Sequence, residues 1–499
     1  MTMSPVSLWN AHAPAFVSDP FVVEDRADVI VVGAGLTGLI TATLLARSGV
    51  DVLVLEARQP GAVTSGNTTA KISVLQGTKL SSILAHHSDK LGRAYVEANA
   101  DGQALLLALC AEWGVEVDVR DSYTYAASDQ GLKQARKEFE ANEKLGLGVE
   151  WVETSELPYD IKGAVRMPDQ AQFDPMDFIP AAIADIRAHG GRVVSGVRVT
   201  GVDVESPTLV ETDRGDVHAE NVVLATGIPI LDRGGYFAKV SPTRSYAIAF
   251  TGVSAIPQGM YLSADTPSRS VRQASVDGVD YLVVGGNDHP VGRGGSEREK
   301  VEDLVDWTEQ HFPGAQVAYS WSAQDYSSHN QIPFVGALPR GRGKVYMATG
   351  YDKWGMTNAA AASLRLTAEL TDAEPPAWAK VWGTRITTPA DFAEGALHNA
   401  EVGVEIVKGW AHVLTGAPSE APAEGEGVVT RASDGLAPVG TSTVEGKTCA
   451  VSAVCPHLGG VVSWNDQEKT WDCPLHGSRF TAQGYLLEGP AVKGLAVHE

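Results

Sequence analysis

The stretch from Asp28 to Glu56, DVIVVGAGLTGLITATLLARSGVDVLVLE, constrains this chain more than any other. Its apolar, β-branched start, Val29 to Val32, predicts a buried parallel strand. Gly33, Gly35 and Gly38 follow in the spacing G-x-G-x-x-G. The first permits a tight turn, the second lets backbone approach a pyrophosphate, and the third lets the next helix pack closely on the strand. That helix offers unpaired N–H groups and a partial positive charge to phosphates. Gly49 ends it, Val52 to Leu55 form a second strand, and Glu56, 23 residues after Gly33, is placed to accept hydrogen bonds from a ribose. Gly33, Ala34, Gly35, Leu36, Thr37 and Gly38, with Glu56, Ala57 and Arg58, are therefore candidate dinucleotide contacts. The rival reading is a membrane span, because Val29 to Ala46 carries no charge over 18 positions. Three glycines together with Thr37 and Thr41 fit a soluble βαβ unit instead. The segment alone does not choose between flavin and nicotinamide.

A chain of 499 residues can hold two or three domains with sizeable cores. Its formal net charge of −22, with no basic cluster, argues against nucleic acid or an anionic membrane as a partner. The N-terminal residues lack a basic segment followed by an apolar core, which predicts a cytoplasmic protein. Four cysteines, Cys110, Cys449, Cys455 and Cys473, are too few and too dispersed for a disulfide scaffold. Cys110 reads as a core thiol and Cys449 as a strand residue.

Along the chain, residues 1–26 read as an extended arm and 61–77 as a Gly/Ser/Thr-rich loop near the cofactor. Ser81 to Gly114 and Gln134 to Leu147 have helical spacing, with a strand from Val115 to Ala127 between them. Residues 173–204 predict a helix and then a strand, 207–218 a hairpin, and Asn221 to Gly227 a buried strand ending in glycine. Alternation over 240–290 predicts a mostly antiparallel sheet. A helix from Glu297 to Phe312, a strand from Lys344 to Gly350 and an Ala-rich helix from Asn358 to Leu370 complete this part. Residues 373–415 carry an amphipathic pattern (Phe392, Val402, Val404, Ile406, Trp410), read as a strap docking one domain on another in preference to a membrane-surface helix. Residues 416–427, rich in Pro, Ala, Glu and Gly, read as a linker.

The tail carries the sharpest chemistry. Cys455-Pro-His457 and Cys473-Pro-Leu-His476 form C-x-H and C-x-x-H with 15 residues between them. Two thiolates suit one iron and two imidazoles the other in a Rieske [2Fe–2S] centre. The same four side chains also suit a single tetrahedral zinc. The surrounding CPHLGG and CPLHGSRF closely resemble Rieske cluster-binding loops, over about residues 428–499, and the resemblance implies an all-β module with Cys455, His457, Cys473 and His476 as cluster ligands. Respiratory-complex Rieske proteins carry two further loop cysteines; Gly460 and Leu475 stand in those places, which fits a soluble module. Ser478 is a candidate donor to a cluster sulfur. A Rieske oxygenase fits poorly, since no mononuclear-iron triad is visible.

The βαβ unit, NVVLATG (221–227), DYSSHNQIPFVG (325–336) and VYMATGYDKWGMTNAAAAS (345–363) together resemble FAD-dependent oxidoreductases of the glycine oxidase and D-amino-acid oxidase superfamily, over about residues 27–372. The resemblance implies FAD. It sets Val199, Thr226 and Gly227 near the adenine side, and Thr68, Thr69, Ala70 and Lys71 facing the isoalloxazine. Gly350, Lys353, Trp354, Gly355, Met356 and Thr357 then lie beside the flavin ring, where a helix N-terminus would favour an anionic reduced flavin. A pyridine-nucleotide reductase would need a second glycine fingerprint. Covalent flavin attachment has no cysteine near the late loop to use, leaving His86 and His87 as candidates.

The expected architecture is an α/β (α+β) two-part flavoprotein with a Rossmann-like nucleotide domain and an antiparallel-sheet substrate domain, plus a small all-β Rieske domain. The nucleotide domain draws on residues 27–90, 160–235 and 320–372, and the substrate domain on 91–159 and 236–319. The expected activity is oxidation of an amine or amino-acid-like substrate, with electrons passing from flavin to cluster and on to a soluble acceptor. Arg244, Tyr246 and Tyr281, with Arg272, are candidates to clamp a substrate carboxylate, because Arg offers a two-pronged donor; Lys353 is a candidate at the flavin. Two alternatives remain: the cluster as electron input to a flavin-dependent reductase, or a non-catalytic electron-transfer partner.

Overall fold

The computed structural model describes residues 6–205, 207–383, 403–405, 408–411, 421–432, 435 and 437–498. The predicted βαβ unit forms the centre of the first sheet. Strand Arg26–Val32 pairs in parallel with Val52–Glu56 on one side (Val29 opposite Val52) and with Val217–Leu224 on the other (Val29 opposite Asn221). The sheet runs Phe334–Ala337, Val345–Thr349, Val217–Leu224, Arg26–Val32, Val52–Glu56, Arg192–Ser195, with the hairpin Val199–Asp203 and Thr208–Thr212 attached. Val, Ile and Leu side chains on both faces of the central strands are buried, as a parallel sheet requires.

Helices Leu36–Arg47, Pro175–Ala188 and Gly355–Leu370 share one apolar core on one face. The long helix Asp89–Trp113 joins them, and at Gly102 an added Cβ would lie 2.1 Å from the Thr357 carbonyl oxygen. The residues assigned to the substrate domain thus send their longest helix against the nucleotide helices and supply the second sheet mainly through Val117–Ala126.

That second sheet runs Gln316–Ser328, Val240–Thr251, Val279–Pro290, Arg269–Val276, Met260–Ser263, Val117–Ala126, Gly163–Phe173, Lys71–Ile72, with Glu150–Val152 beside Gly163–Phe173. Its pairings are antiparallel except for Met260–Ser263 with Val117–Ala126. Strands Gly163–Phe173 and Lys71–Ile72 join it from segments the sequence reading placed with the nucleotide domain.

Two local readings change. Residues 1–26 are not simply an extended arm: Leu8–His12 is a helix capped by Ser7, with Trp9 1% exposed and its indole N–H donating to the Thr68 carbonyl at 2.7 Å. The late helix begins at Gly355, three residues before Asn358, because the Asn358 amide side chain donates back to the Trp354 carbonyl at 2.9 Å from inside the first turn.

The C-terminal module is all β. Gly427–Arg431, Pro438–Val444 and Lys447–Ser452 form one sheet, and Ser463–Asn465, Thr470–Asp472, Arg479–Thr481 and Leu486–Glu488 another. Trp471, Phe480, Val451 and Val462 fill its core. Of the strap and linker, Ala377–Gly383 is helical and Trp410 donates to the Gly459 carbonyl at 3.3 Å. Phe392, Val402, Ile406 and residues 416–420 lie outside the described residues.

Candidate functional site

The glycine turn is held by its own geometry. At Gly33, where φ is +104°, an added Cβ would stand 2.6 Å from the Ala225 carbonyl oxygen; at Gly38 it would stand 1.9 Å from that of Gly33. No residue larger than glycine fits either place. The Glu56 carboxylate accepts from the backbone N–H groups of Ala34 and Arg58, both at 2.8 Å, and burial pushes its pKa up against those bonds. Leu36 N–H donates to the Ser65 hydroxyl at 3.0 Å.

From this turn a cleft of about 860 Å³ runs to the late loop, within the size of cofactor sites. Gly33, Gly35, Leu36, Thr37, Glu56, Ala57, Arg58, Val199, Thr226 and Gly227 line one part, and Thr68, Thr69, Lys71, Gly350, Lys353, Trp354, Gly355 and Met356 also line it. Four expected contacts stand behind the wall. Ala34 is tied to Glu56, Gly38 packs on Gly33, the Ala70 carbonyl accepts from Arg272 at 3.2 Å, and the Thr357 hydroxyl donates to Asn99 at 2.6 Å. His86 and His87 do not line the cleft.

The late loop carries strain and charge. Asp352 and Lys353 both adopt left-handed backbone, with φ of +51° and +69°; such non-glycine residues persist where the surroundings fix them. The Lys353 N–H donates to Asp325, and its ammonium pairs with Asp288 at 3.0 Å. Lys79, nearly buried, pairs with Asp352 at 2.5 Å and donates to Gln331 at 3.1 Å. Burial would raise Asp352, but Lys79 outweighs it and holds the carboxyl below its ordinary value. For Asp325 burial wins, helped by repulsion from Asp352, and its pKa rises to about 7. Lys71 donates to the hydroxyls of Ser270 at 2.5 Å and Thr69 at 3.3 Å, and burial, then nearby Arg272, brings it down to about 7.

Of the carboxylate-clamp candidates, only Tyr246 lines the cleft; its ring stacks on His289 at 5.7 Å. Arg244 turns the other way and is committed to the C-terminal module. It is 1% exposed, with guanidinium N–H groups on Glu468 at 2.9 Å, Glu488 at 3.4 Å and Gln324 at 3.0 Å. Arg272 braces the loop by donating to the carbonyls of Thr69 and Ala70. Tyr281 packs against Tyr319, 6.0 Å between ring centres, and lies outside the cleft. Each of these three side chains has its partners outside the cleft.

At the other end, Cys455 and Cys473 are 1% and 2% exposed and neither forms a disulfide. The two thiols face one another; that hydrogen bond brings Cys455 down to about 7 and, with burial, pushes Cys473 up. The rings of His457 and His476 stand 5.0 Å apart, edge to face, and the Nδ1 atom of His457 is buried without a hydrogen-bond partner among the described residues. Among the described residues no three His, Cys, Asp or Glu side chains converge on one metal position. A thiol pair beside an imidazole pair fits a two-iron cluster, with sulfur on one iron and nitrogen on the other, better than one tetrahedral zinc. Phe237 packs on both imidazoles, and Asp232 meets His457 Nε2 at 3.0 Å.

Sequence reasoning missed how the two ends join. Leu487, Glu488, Gly489, Ala491 and Val492 of the C-terminal module line the same cleft as Glu56 and Arg58. Arg198 donates to the Leu486 carbonyl at 3.1 Å, Tyr326 to that of Gly489 at 3.3 Å, and Arg293 to that of Pro474 at 2.8 Å. It also missed Lys79, which no local pattern links to a partner 273 residues away, and Asp325, although both aspartates sit in the quoted motifs.

Residues 28–370 match the family described as FAD dependent oxidoreductase, and residues 412–499 match the Rieske [2Fe-2S] domain. The Bacillus subtilis (strain 168) protein YhfW, named as a Rieske 2Fe-2S iron-sulfur protein, is 30% identical over 99% of this chain and 97% of its own length. Gamma-glutamylputrescine oxidoreductase of Escherichia coli (strain K12) is 25% identical over 72% of this chain and 86% of its own. Among solved structures, glycine oxidase from Geobacillus kaustophilus superposes with a TM-score of 0.60 at 19% identity, over 70% of this chain and 96% of that one.

Proposed function

Because this chain belongs to the FAD-dependent oxidoreductase family and carries a C-terminal Rieske [2Fe–2S] domain, we propose that it oxidises an amine or amino acid in the cleft and relays the electrons through the cluster to an external one-electron acceptor. The observation that carries this reading is the docking of the cluster domain on the cleft itself, through Leu487 to Val492. An oxidase discharging to oxygen needs no such module. The name of one relative, gamma-glutamylputrescine oxidoreductase, supports an amine-like substrate class.

FAD, when bound, accepts a hydride and gives up electrons one at a time. The glycine turn, Glu56 and Arg58 would hold its nucleotide end, and the walls around Lys71 and Lys353 would hold the ring end. Lys71, half-buried and donating to the hydroxyls of Thr69 and Ser270, offers a cation to an anionic ligand. Asp325, with its pKa near 7, is suited to receive the proton of a substrate ammonium. Cys455, His457, Cys473 and His476 hold the cluster. The proposed acceptor is an external one-electron carrier; among the described residues of this chain, no helix is long and apolar enough to cross a membrane.

Anaerobic titration with candidate amines and amino acids tests this. Bleaching of the flavin followed by the cluster's EPR signal supports it. Flavin that no amine bleaches, with reduction arriving only from an external reductant through the cluster, overturns it in favour of the reverse electron flow.

A further inference from the structure

One β-strand, Gln316–Ser328, touches both the cleft and the cluster domain. Side chains alternate across a strand, and Gln316–Ser328 uses both faces: Ala323 and Asp325 line the cleft, while Ser322 and Gln324 face the C-terminal module. Gln324, 1% exposed, is bonded on every side. Its backbone carbonyl accepts from the hydroxyl of cleft-lining Thr64 at 2.8 Å. Its side-chain amide donates to the hydroxyl of cleft-lining Tyr326 at 2.9 Å and to the Gly477 carbonyl at 2.8 Å. Gly477 follows the cluster ligand His476. Packing there is tight, since a Cβ on Gly477 would meet Pro242 at 2.6 Å and the Gln324 amide at 2.7 Å.

We propose that Gln324, with Tyr326, is the coupling residue through which electrons cross from the flavin cleft to the cluster. The path runs from Thr64 or Tyr326 through the Gln324 side chain to the Gly477 carbonyl and so to His476. This rests on the reading that electrons pass between the two centres. In one crossing, a single electron leaves the reduced flavin, one proton is released to water, and one ferric iron of the cluster becomes ferrous. The second electron follows once an external one-electron oxidant, ferricyanide in the assay, has reoxidised the cluster. Gln324 neither gains nor loses a proton; it shortens the gap between the centres with covalent and hydrogen-bonded links.

The test uses the full chain with both cofactors. The flavin is photoreduced anaerobically without substrate, and cluster reduction is followed by stopped-flow absorbance and freeze-quench EPR. Gln324→Met removes the amide at similar length, and Tyr326→Phe removes only a hydroxyl. Ser296→Ala, which cuts the 2.6 Å bond from Ser296 to Asp466 elsewhere in the same interface, controls for looser docking. Gln324→Met is expected to slow cluster reduction several-fold and Tyr326→Phe by less, with Ser296→Ala unchanged. EPR redox titration is expected to show that slowing at a matched driving force. Rates unchanged in Gln324→Met, equally slow in Ser296→Ala, or explained wholly by a shifted cluster potential overturn the assignment. A wild-type cluster that stays oxidised beside reduced flavin overturns the underlying reading instead.

Discussion

Replacing Arg244 with Met should separate the cluster domain from the rest of the protein in its unfolding. Two guanidinium groups, Arg244 and Arg479, hold three carboxylates in the interface. Arg479 reaches Glu468 at 2.5 Å, Asp472 at 3.1 Å and Glu488 at 2.8 Å, while Arg244 reaches Glu468 and Glu488. The side chains of Glu468 and Glu488 are 10% exposed, so solvent does little to screen them. Removing one partner of a buried pair costs about 3–5 kcal/mol, and because Arg479 stays in place the lower figure applies, about two decades in an equilibrium constant. Urea unfolding followed in parallel by the cluster's visible circular dichroism and by flavin fluorescence measures it. The cluster signal is expected to be lost first in Arg244→Met. The double variant Arg244→Met with Glu468→Gln, which removes one stranded charge, should be less damaged than the two single effects summed. The pH dependence has a sign. Burial would raise Glu488, but Arg479 and Arg244 outweigh it and hold its carboxyl below the ordinary value. The stabilisation is therefore full above the ordinary carboxylate pKa and is lost as pH falls through the depressed one, so the gap between wild type and variant should narrow on acidification. A loss under about 1 kcal/mol, the range of a surface pair, or a gap constant with pH, would refute the reasoning.

Other outcomes follow from single atoms. Gly38→Ala, whose Cβ would overlap the Gly33 carbonyl, should abolish FAD retention after gel filtration while Gly148→Ala, with open space around it, does not. Cys455→Ser should lose about two iron and two sulfide per chain by metal analysis; zinc in the wild type would refute the cluster. Lys71, lowered by burial and then Arg272, is a cation only below about pH 7, so acetate binding should weaken as pH rises through that value and Lys71→Met should flatten the profile. In the same group the folded state binds fewer protons than the unfolded between pH 7 and about 10.4, so wild-type stability should gain with pH across that window relative to Lys71→Met.

The features legible in the sequence are those whose physics is local. The glycine turn needs only its neighbours to be constrained, and four candidate ligands at C-x-H and C-x-x-H stand out by residue type. Arg244 reads as a candidate carboxylate clamp because it shares a cap strand with a tyrosine; its carboxylate partners lie 224 and 244 residues away, in the other domain, where no local pattern points. Trp9 had no signal in a polar arm, since its burial depends on the Thr68 loop. Tyr281 shares an alternating strand with cleft residues, and nothing short of the sheet order says which face it takes. Gln324 was silent for the same reason: an amide in a strand becomes a link only once Gly477 is packed against it.

The residues Leu487 to Val492 give the cleft a wall that belongs to the iron-binding module. Any free energy the cluster adds to that module's folding also holds those residues over the flavin nucleotide, and coupling of this kind is reciprocal. A cell short of iron would then make this protein leak flavin, and a cell short of riboflavin would make it shed its cluster. Retention of each group would then depend on the supply of the other.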